Sequence, residues 1–265
     1  MSQNYFQKMV LALLIGMPGI TSTKALVLED LISKGSVEAT FKNKKIGFYI
    51  GSFDPLHKGH EALAKLPINK GLCDYVIVYP SWGGDGFKSR VDISIRQDML
   101  YSVFADHPRV IVTRLPPQDI QDLLTIPTQE PPVGDKTFVK PAFEGMEFIG
   151  ITGSDTALAY KGSEASQIFM RGIQIPTKYK NHTVGGIMAL PTTSFIVGER
   201  EGDDLSSLTG VNAGRPIVAI VKDDATQKIS STAVKEAIAS GASIEGMVSP
   251  SVVKIIESKG LYRGN

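Results

Sequence analysis

At 265 residues the chain is long enough to bury one large α/β core or two small ones. Hydrophobic residues at 42% and charged residues at 21% exclude a disordered chain, and a net charge of +1 lacks the basic surplus that a nucleic-acid backbone demands. The single cysteine, Cys73, excludes an intramolecular disulfide and a thiolate metal cluster.

The run Met9-Val-Leu-Ala-Leu-Leu-Ile-Gly-Met17 is apolar, follows Lys8 and precedes the small-residue stretch Thr23-Lys-Ala25. That is the layout of a secretory signal over residues 1–25, and it points to an exported protein. The competing reading is an N-terminal helix packed on a cytoplasmic domain. The run is too short to span a membrane, and Gly16 and Pro18 interrupt it. A leader segment follows at 26–44, with a short helix predicted over 26–34 from the spacing of Leu28, Leu31 and Ile32.

From 45 to 265 the pattern is that of a single domain. Short apolar runs at 46–50, 75–79, 110–113, 148–151, 195–197 and 217–221 predict six strands. Helices are predicted over 58–66, ended by Pro67, and over 93–104, where Ile95, Met99 and Val103 share a face. Strands alternating with helices predict an α/β fold with a Rossmann-like, doubly wound, mainly parallel sheet and helices on both faces. Residues 116–145 hold six prolines and little periodicity, which predicts a surface insertion. Residues 171–186 read similarly, as a segment able to cover a pocket.

The ten residues Gly51-Ser-Phe-Asp-Pro-Leu-His-Lys-Gly-His60 follow the first strong strand. Ligands of open parallel sheets bind beyond the carboxyl ends of the strands, so this segment lies at the predicted site. Gly51 lets backbone approach a ligand, and Asp54-Pro55 makes the turn into the helix. His57 and His60, three apart, share a face at the helix start, where free N–H groups and the dipole attract phosphate. Phosphoryl-type transfer needs positioning and charge neutralisation above all, which such groups supply. A bare pair of histidines at this spacing is more often structural. Zinc is a further option, but no cysteine cluster or third nearby histidine completes a closed site, so no protein-held metal is predicted.

Near the other end, Ile229-Ser-Ser-Thr-Ala-Val-Lys235 opens a second helix. Its hydroxyls cap free N–H groups in the plain reading. In the functional one, Ser230, Ser231 and Thr232 hold phosphates at that helix end, with Lys235 one to two turns on.

Together the two segments resemble the paired signatures of the adenylyltransferase and cytidylyltransferase superfamily. Within it the nicotinate-nucleotide adenylyltransferases are most similar, over about residues 46–262. Lys88 with Arg96-Gln-Asp-Met99, the strand and turn Phe148-Ile-Gly-Ile-Thr-Gly-Ser-Asp155, Phe195-Ile-Val-Gly-Glu-Arg200 and the closing Gly260-Leu-Tyr262 carry that likeness. The resemblance implies transfer of AMP from ATP to nicotinate or nicotinamide mononucleotide, with Mg²⁺ bound along with ATP. It implies His57, His60 and Lys88 as catalytic residues and Gly51, Ser52, Phe53, His57, His60, Ser230, Ser231, Thr232 and Lys235 as ATP ligands. Asp155, Lys88 and Arg96 would meet the second substrate. The partners implied are small molecules, with neither nucleic acid nor a membrane span.

Two departures stand out. Lys235 occupies a position usually held by Arg, keeping the charge without the two-pronged fork. No aromatic is obvious for stacking on a pyridine ring, Tyr160 being the one candidate. A pantetheine-phosphate adenylyltransferase, a cytidylyltransferase and a non-catalytic nucleotide-binding protein of the same fold remain the alternatives.

Overall fold

The computed structural model describes residues 26–81, 90–115, 117–124, 140–143, 145–159, 194–208, 211–212 and 215–263. The signal-like segment 1–25, Lys88, Tyr160 and the stretch 171–186 lie outside the described residues.

The strands are β1 (Leu26–Val27), β2 (Lys45–Gly51), β3 (Tyr75–Pro80), β4 (Val110–Val112), β5 (Glu147–Gly153), β6 (Ser194–Gly198), β7 (Val211–Asn212) and β8 (Arg215–Val221). They form one sheet in the order β1-β4-β3-β2-β5-β6-β8-β7. Seven strands run parallel, and only the short β7 pairs antiparallel, with β8.

The apolar runs are continuous because successive side chains point to opposite faces and both faces are covered. Ile46, Phe48, Ile77, Tyr79 and Phe148 turn to one side. There α1 (Leu28–Ser33), α2 (Val37–Phe41) and α5 (Pro117–Leu124) pack through Leu28, Leu31, Phe41, Ile120 and Leu124. Tyr49, Val76, Val78, Ile149 and Ile151 turn to the other. That side is covered by α3 (Lys58–Asn69), α4 (Ile93–Phe104), α7 (Ser231–Ala239) and α8 (Pro250–Ser258), while the short α6 (Ser154–Ala159) follows β5.

All six predicted strands are present, displaced by two residues at most at either end, and the 93–104 helix coincides with α4. Three features differ. Residues 26 and 27 form an edge strand on β4 before the helix begins. Residues 37–41 are helical, in a stretch too short to show a period. The third difference is that α3 does not stop at Pro67 but carries it in its last turn. A proline inside a helix costs about 3 kcal/mol, and burying a side chain such as Ile68, 2% exposed, returns about 1.5–3 kcal/mol. Within 116–145, Ile120, Leu124 and Phe143 are buried in the core, so both ends of that segment belong to the packed domain; residues 125–139 lie outside those described.

From β2 the chain winds outward through β3 and β4; from β5 it winds the opposite way through β6 and β8. The winding reverses between β2 and β5, and the carboxyl ends of two such strands open the crevice in which this class of sheet binds ligands. Gly51 ends β2 and Gly153 ends β5.

Gly198, at the end of β6, lets α3 lie close on the sheet: a Cβ there would come within 2.6 Å of both Leu63 methyls. Leu63 is only 9% exposed and sits in the packed layer. Gly198→Ala is therefore expected to destabilise the fold by about 1–3 kcal/mol through overpacking, measured by urea titration.

Candidate functional site

His57 is the cap of α3 and His60 its third residue. The His60 N–H donates to His57 Nδ1 at 3.4 Å, and the His57 N–H donates to His60 Nδ1 at 3.3 Å. This is a capping box made from two imidazoles, satisfying two of the free amides at the helix start. The rings stack with centroids 3.6 Å apart and planes 25° from parallel. A ring nitrogen that accepts an amide carries no proton, so in the neutral rings the proton sits on Nε2. Both histidines thereby become Nε2–H donors. His57 is 2% exposed, and its Nε2 is buried with no partner among the described residues. A lone buried donor costs about 1–3 kcal/mol, recovered when a ligand oxygen arrives.

Burial pushes the His57 imidazole from an ordinary 6.5 down to about 3, with the Arg200 guanidinium adding to the effect. His60 is held well below the usual range by burial first, then by His57 and Arg200. Neutral rings follow, in line with their two accepting Nδ1 atoms.

Neighbouring residues hold the rings in place. Phe53, fully buried with φ +47°, lies edge-on to His60 at 5.0 Å and to Tyr49 at 5.3 Å. A Cβ on Gly51 would come within 2.6 Å of the Phe53 ring, so that glycine serves the packing of the loop itself. A Cβ on Gly59 would stand 3.1 Å from the His57 ring and 3.2 Å from the Thr226 carbonyl.

The second motif lies against the first. Ser230 caps α7 by accepting the Ala233 N–H at 3.1 Å. Ser231 Oγ donates to the Pro55 carbonyl at 3.1 Å, and Thr232 is exposed in the first turn. Lys235 reaches across to Asp54 Oδ2 at 2.5 Å. The Lys58 N–H donates to the Met247 carbonyl at 2.9 Å and Ser249 Oγ to Glu61 at 2.6 Å. The two segments read as phosphate binders thus meet at the carboxyl end of the sheet.

Two assignments read from the sequence acquire different partners. Arg96 is 4% exposed and spends its guanidinium on backbone carbonyls: Ser52 at 2.9 Å, Ser81 at 3.1 Å and Val91 at 3.1 Å. Through Nε and Nη1 it fastens the ends of β2 and β3 and the start of α4. The Lys235 ammonium, expected on a triphosphate, is held by Asp54, which is 3% exposed. Asp54 is the buried member of this pair: the Lys235 side chain is 35% exposed, and without it the carboxylate would keep its other donors.

Asp155, in the first turn of α6, accepts the Thr156 N–H at 2.9 Å and pairs with Arg200 at 3.0 Å. Its side chain is 60% exposed and that of Arg200 36%, so this pair contributes no more than about 1 kcal/mol. Arg200 can leave it cheaply. Ser154 Oγ donates to Asp203 and accepts the Arg200 N–H at 3.1 Å, which ties the loop after β6 to the end of β5. Arg200, Glu201, Asp203, Gln227, Lys228, Ile229 and Ser230 line an open cavity of about 380 Å³ beside the second motif.

The sequence reading missed Arg200 as a cation facing both histidines, and Asp54 and Tyr262 as a buried junction. Among the described residues no three histidine, cysteine or carboxylate side chains are grouped to hold a metal, and no helix is long and apolar enough to cross a membrane. Cys73 is buried, its thiol pushed up to about 12 by burial, and is inert.

No protein-family model matches the chain. At 24% identity over 226 residues, 83% of this chain and 93% of the relative, it is similar to a probable nicotinate-nucleotide adenylyltransferase of Rubrobacter xylanophilus. A protein of the same description from Nitratiruptor sp. is 28% identical over 148 residues, 51% of this chain and 79% of the relative. Among solved structures, the fold is similar to that of Plasmodium falciparum nicotinic acid mononucleotide adenylyltransferase. Complexed with NaAD, that enzyme superposes with a TM-score of 0.55 at 18% identity; complexed with APC, with 0.53 at 16%. Each comparison covers 83% of this chain and 97% of the other.

The histidine geometry has a pH signature. The folded value of His57 lies below its ordinary one, so the unfolded chain takes up the proton first. The stability it contributes is intact above the ordinary value of 6.5 and is lost as pH falls toward 3. By NMR, the His57 and His60 Cε1–H signals are expected not to titrate between about pH 8 and pH 5.

Proposed function

We propose that this chain, a distant homologue of the nicotinate-nucleotide adenylyltransferases, is a nucleotidyltransferase that moves AMP from MgATP to nicotinate or nicotinamide mononucleotide. The observation that carries the reading is the junction of the two motifs: Ser231 Oγ on the Pro55 carbonyl at 3.1 Å sets a capped helix start beside the histidine pair.

In this reaction a phosphate oxygen of the mononucleotide forms a bond to the α-phosphorus of ATP, and the bond from that phosphorus to the β-bridging oxygen breaks. Pyrophosphate leaves. The attacking oxygen is already anionic at neutral pH, so no residue need remove a proton. The protein's task is to orient two anions and to stabilise charge on the α-phosphoryl oxygens.

His57 Nε2–H, buried and unpartnered, is the donor for such an oxygen. His60 fixes the tautomer and plane of His57, and Lys88, in the sequence between β3 and α4, is assigned to the phosphates. Arg200 moves from its weak pair with Asp155 to the phosphates, while Ser230, Ser231 and Thr232 present the start of α7 to the triphosphate tail. Asp155 is left to the second substrate. Asp54 has both oxygens engaged by Lys235 and Tyr262. Mg²⁺ would be bound together with ATP and would supply positive charge against the phosphate oxygens.

The test is a panel of phosphorylated acceptors (nicotinate mononucleotide, nicotinamide mononucleotide, phosphopantetheine) offered with ATP and with CTP, read by pyrophosphate release. Nicotinate or nicotinamide mononucleotide with ATP is expected to give dinucleotide. ATP binding without product on any acceptor would leave a nucleotide-binding protein. His57→Ala is expected to lower kcat about 10²–10³-fold with circular dichroism unchanged, the loss typical of one preorganised donor.

A further inference from the structure

We propose that Lys235 and Tyr262 are positioning residues that clip the buried carboxylate of Asp54 and so hold the loop carrying His57, with the second-motif cation acting through that loop instead of on the phosphates. Its kinetic consequence rests on the transfer reading above; its structural consequence does not.

Asp54 opens the turn after β2 and is 3% exposed. Its Oδ2 receives the Lys235 ammonium at 2.5 Å from a residue 181 positions away. Its Oδ1 receives the Tyr262 hydroxyl at 2.6 Å, from 208 positions away, and the Val91 N–H at 3.4 Å. Lys235 Nζ also sits 5.1 Å from the centre of the Tyr262 ring, so the two partners hold each other. Burial first, then the Asp54 carboxylate, pushes the Tyr262 hydroxyl far above its usual range, and it remains a donor.

Two observations mark this as a built junction. Tyr262 has φ +61°, a backbone conformation that a bulky side chain adopts only under constraint, and the adopted turn delivers the ring to Asp54. On the far side of the same loop, Arg96 binds the Ser52 carbonyl at 2.9 Å, so the residues on both sides of Phe53 are fastened. His57 lies three residues beyond Asp54 and inherits that placement.

Charge points the same way. Asp54 and Lys235 sum to zero, and a Lys235 that moved to a phosphate would strand a buried anion. A cation in this arrangement adds nothing to the grip on a triphosphate and much to the geometry of the loop.

The experiment compares the wild type with Lys235→Met, Asp54→Asn, the double variant and Tyr262→Phe. Amide hydrogen exchange is read across residues 51–60 and, as an internal reference, across β4; kcat and KM for ATP are read with the acceptor that turns over. Lys235→Met is expected to speed exchange in 51–60 about tenfold with β4 unchanged. It is expected to lower kcat about tenfold or more while KM for ATP stays within about threefold. The double variant is expected to be no worse than the poorer single one, since a neutral pair strands no charge. Tyr262→Phe, which keeps the ring and removes one hydrogen bond, is expected to move both readouts the same way by less.

Unchanged loop exchange in Lys235→Met, a tenfold rise in KM for ATP at constant kcat, and losses that add in the double variant would overturn the clip and return Lys235 to the phosphates. A wild type that turns over no acceptor sinks the transfer reading alone; exchange across 51–60 then decides the clip, and its constancy overturns it.

Discussion

At the end of β2 two backbone amides and two imidazoles satisfy one another, and the rest of the site depends on that exchange. The start of any helix leaves amides without partners. Here His57 and His60 supply the acceptors themselves, at 3.4 and 3.3 Å. The consequence reaches the chemistry directly. Committing both Nδ1 atoms to the backbone fixes both tautomers, turns both Nε2 atoms into donors and fixes the planes in which those donors lie. A local folding rule and a requirement of the proposed transfer are met by the same two hydrogen bonds.

Around that pair the structure separates contacts that must persist from contacts that can be exchanged. The Asp54 carboxylate, held by the partly exposed Lys235, and the Arg96 guanidinium, held by three carbonyls, are buried and join separate segments of the chain. Breaking either leaves unsatisfied charge or polar groups in the interior. Asp155 with Arg200 is half-exposed and weakly held. The described part of the site therefore has a fixed floor and a cation, Arg200, that is free to redirect. The distinction lies in the carboxylates: Asp54 is 3% exposed and Asp155 60%, while Lys235 and Arg200 are about equally exposed.

The sheet was legible in the sequence because each strand is buried on both faces and so reads as an unbroken apolar run; the positions of the histidine segment and of the 229–235 segment followed from the strands they trail. Length set the limit elsewhere. β1 has two residues and α2 five, fewer than a hydrophobic period needs. Pro67 misled because the burial of neighbouring helix residues such as Ala64 and Ile68 together offsets a local rule. The site was legible as a set of residues but not as a set of partners. Arg96 read as a substrate contact, Lys235 as a phosphate ligand and Arg200 had no assigned role; only the fold sorts them, one into backbone carbonyls, one onto a carboxylate 181 positions distant, one close enough for its charge to act on both imidazoles. Asp54 offered the one available signal. A carboxylate between Phe53 and Pro55, at the end of an apolar strand, needs polar partners if it is buried, and their address is a long-range fact.

A neutral donor and a fixed cation affect bound phosphate differently. A cation attracts a triphosphate in the ground state almost as strongly as during reaction, which tightens binding without lowering the barrier. A buried neutral N–H gains most where charge concentrates on the oxygen it faces, and it needs no reorganisation as that charge develops. With Lys235 neutralised by Asp54 and both imidazoles held uncharged by burial, the described part of this site offers weakly paired cations, Arg200 and Lys228, and at least one preorganised neutral donor, His57 Nε2. In the proposed reaction charge is redistributed over the α-phosphoryl oxygens as one bond forms and another breaks. The groups arrayed here are weighted toward that moment and away from retention of the nucleotide.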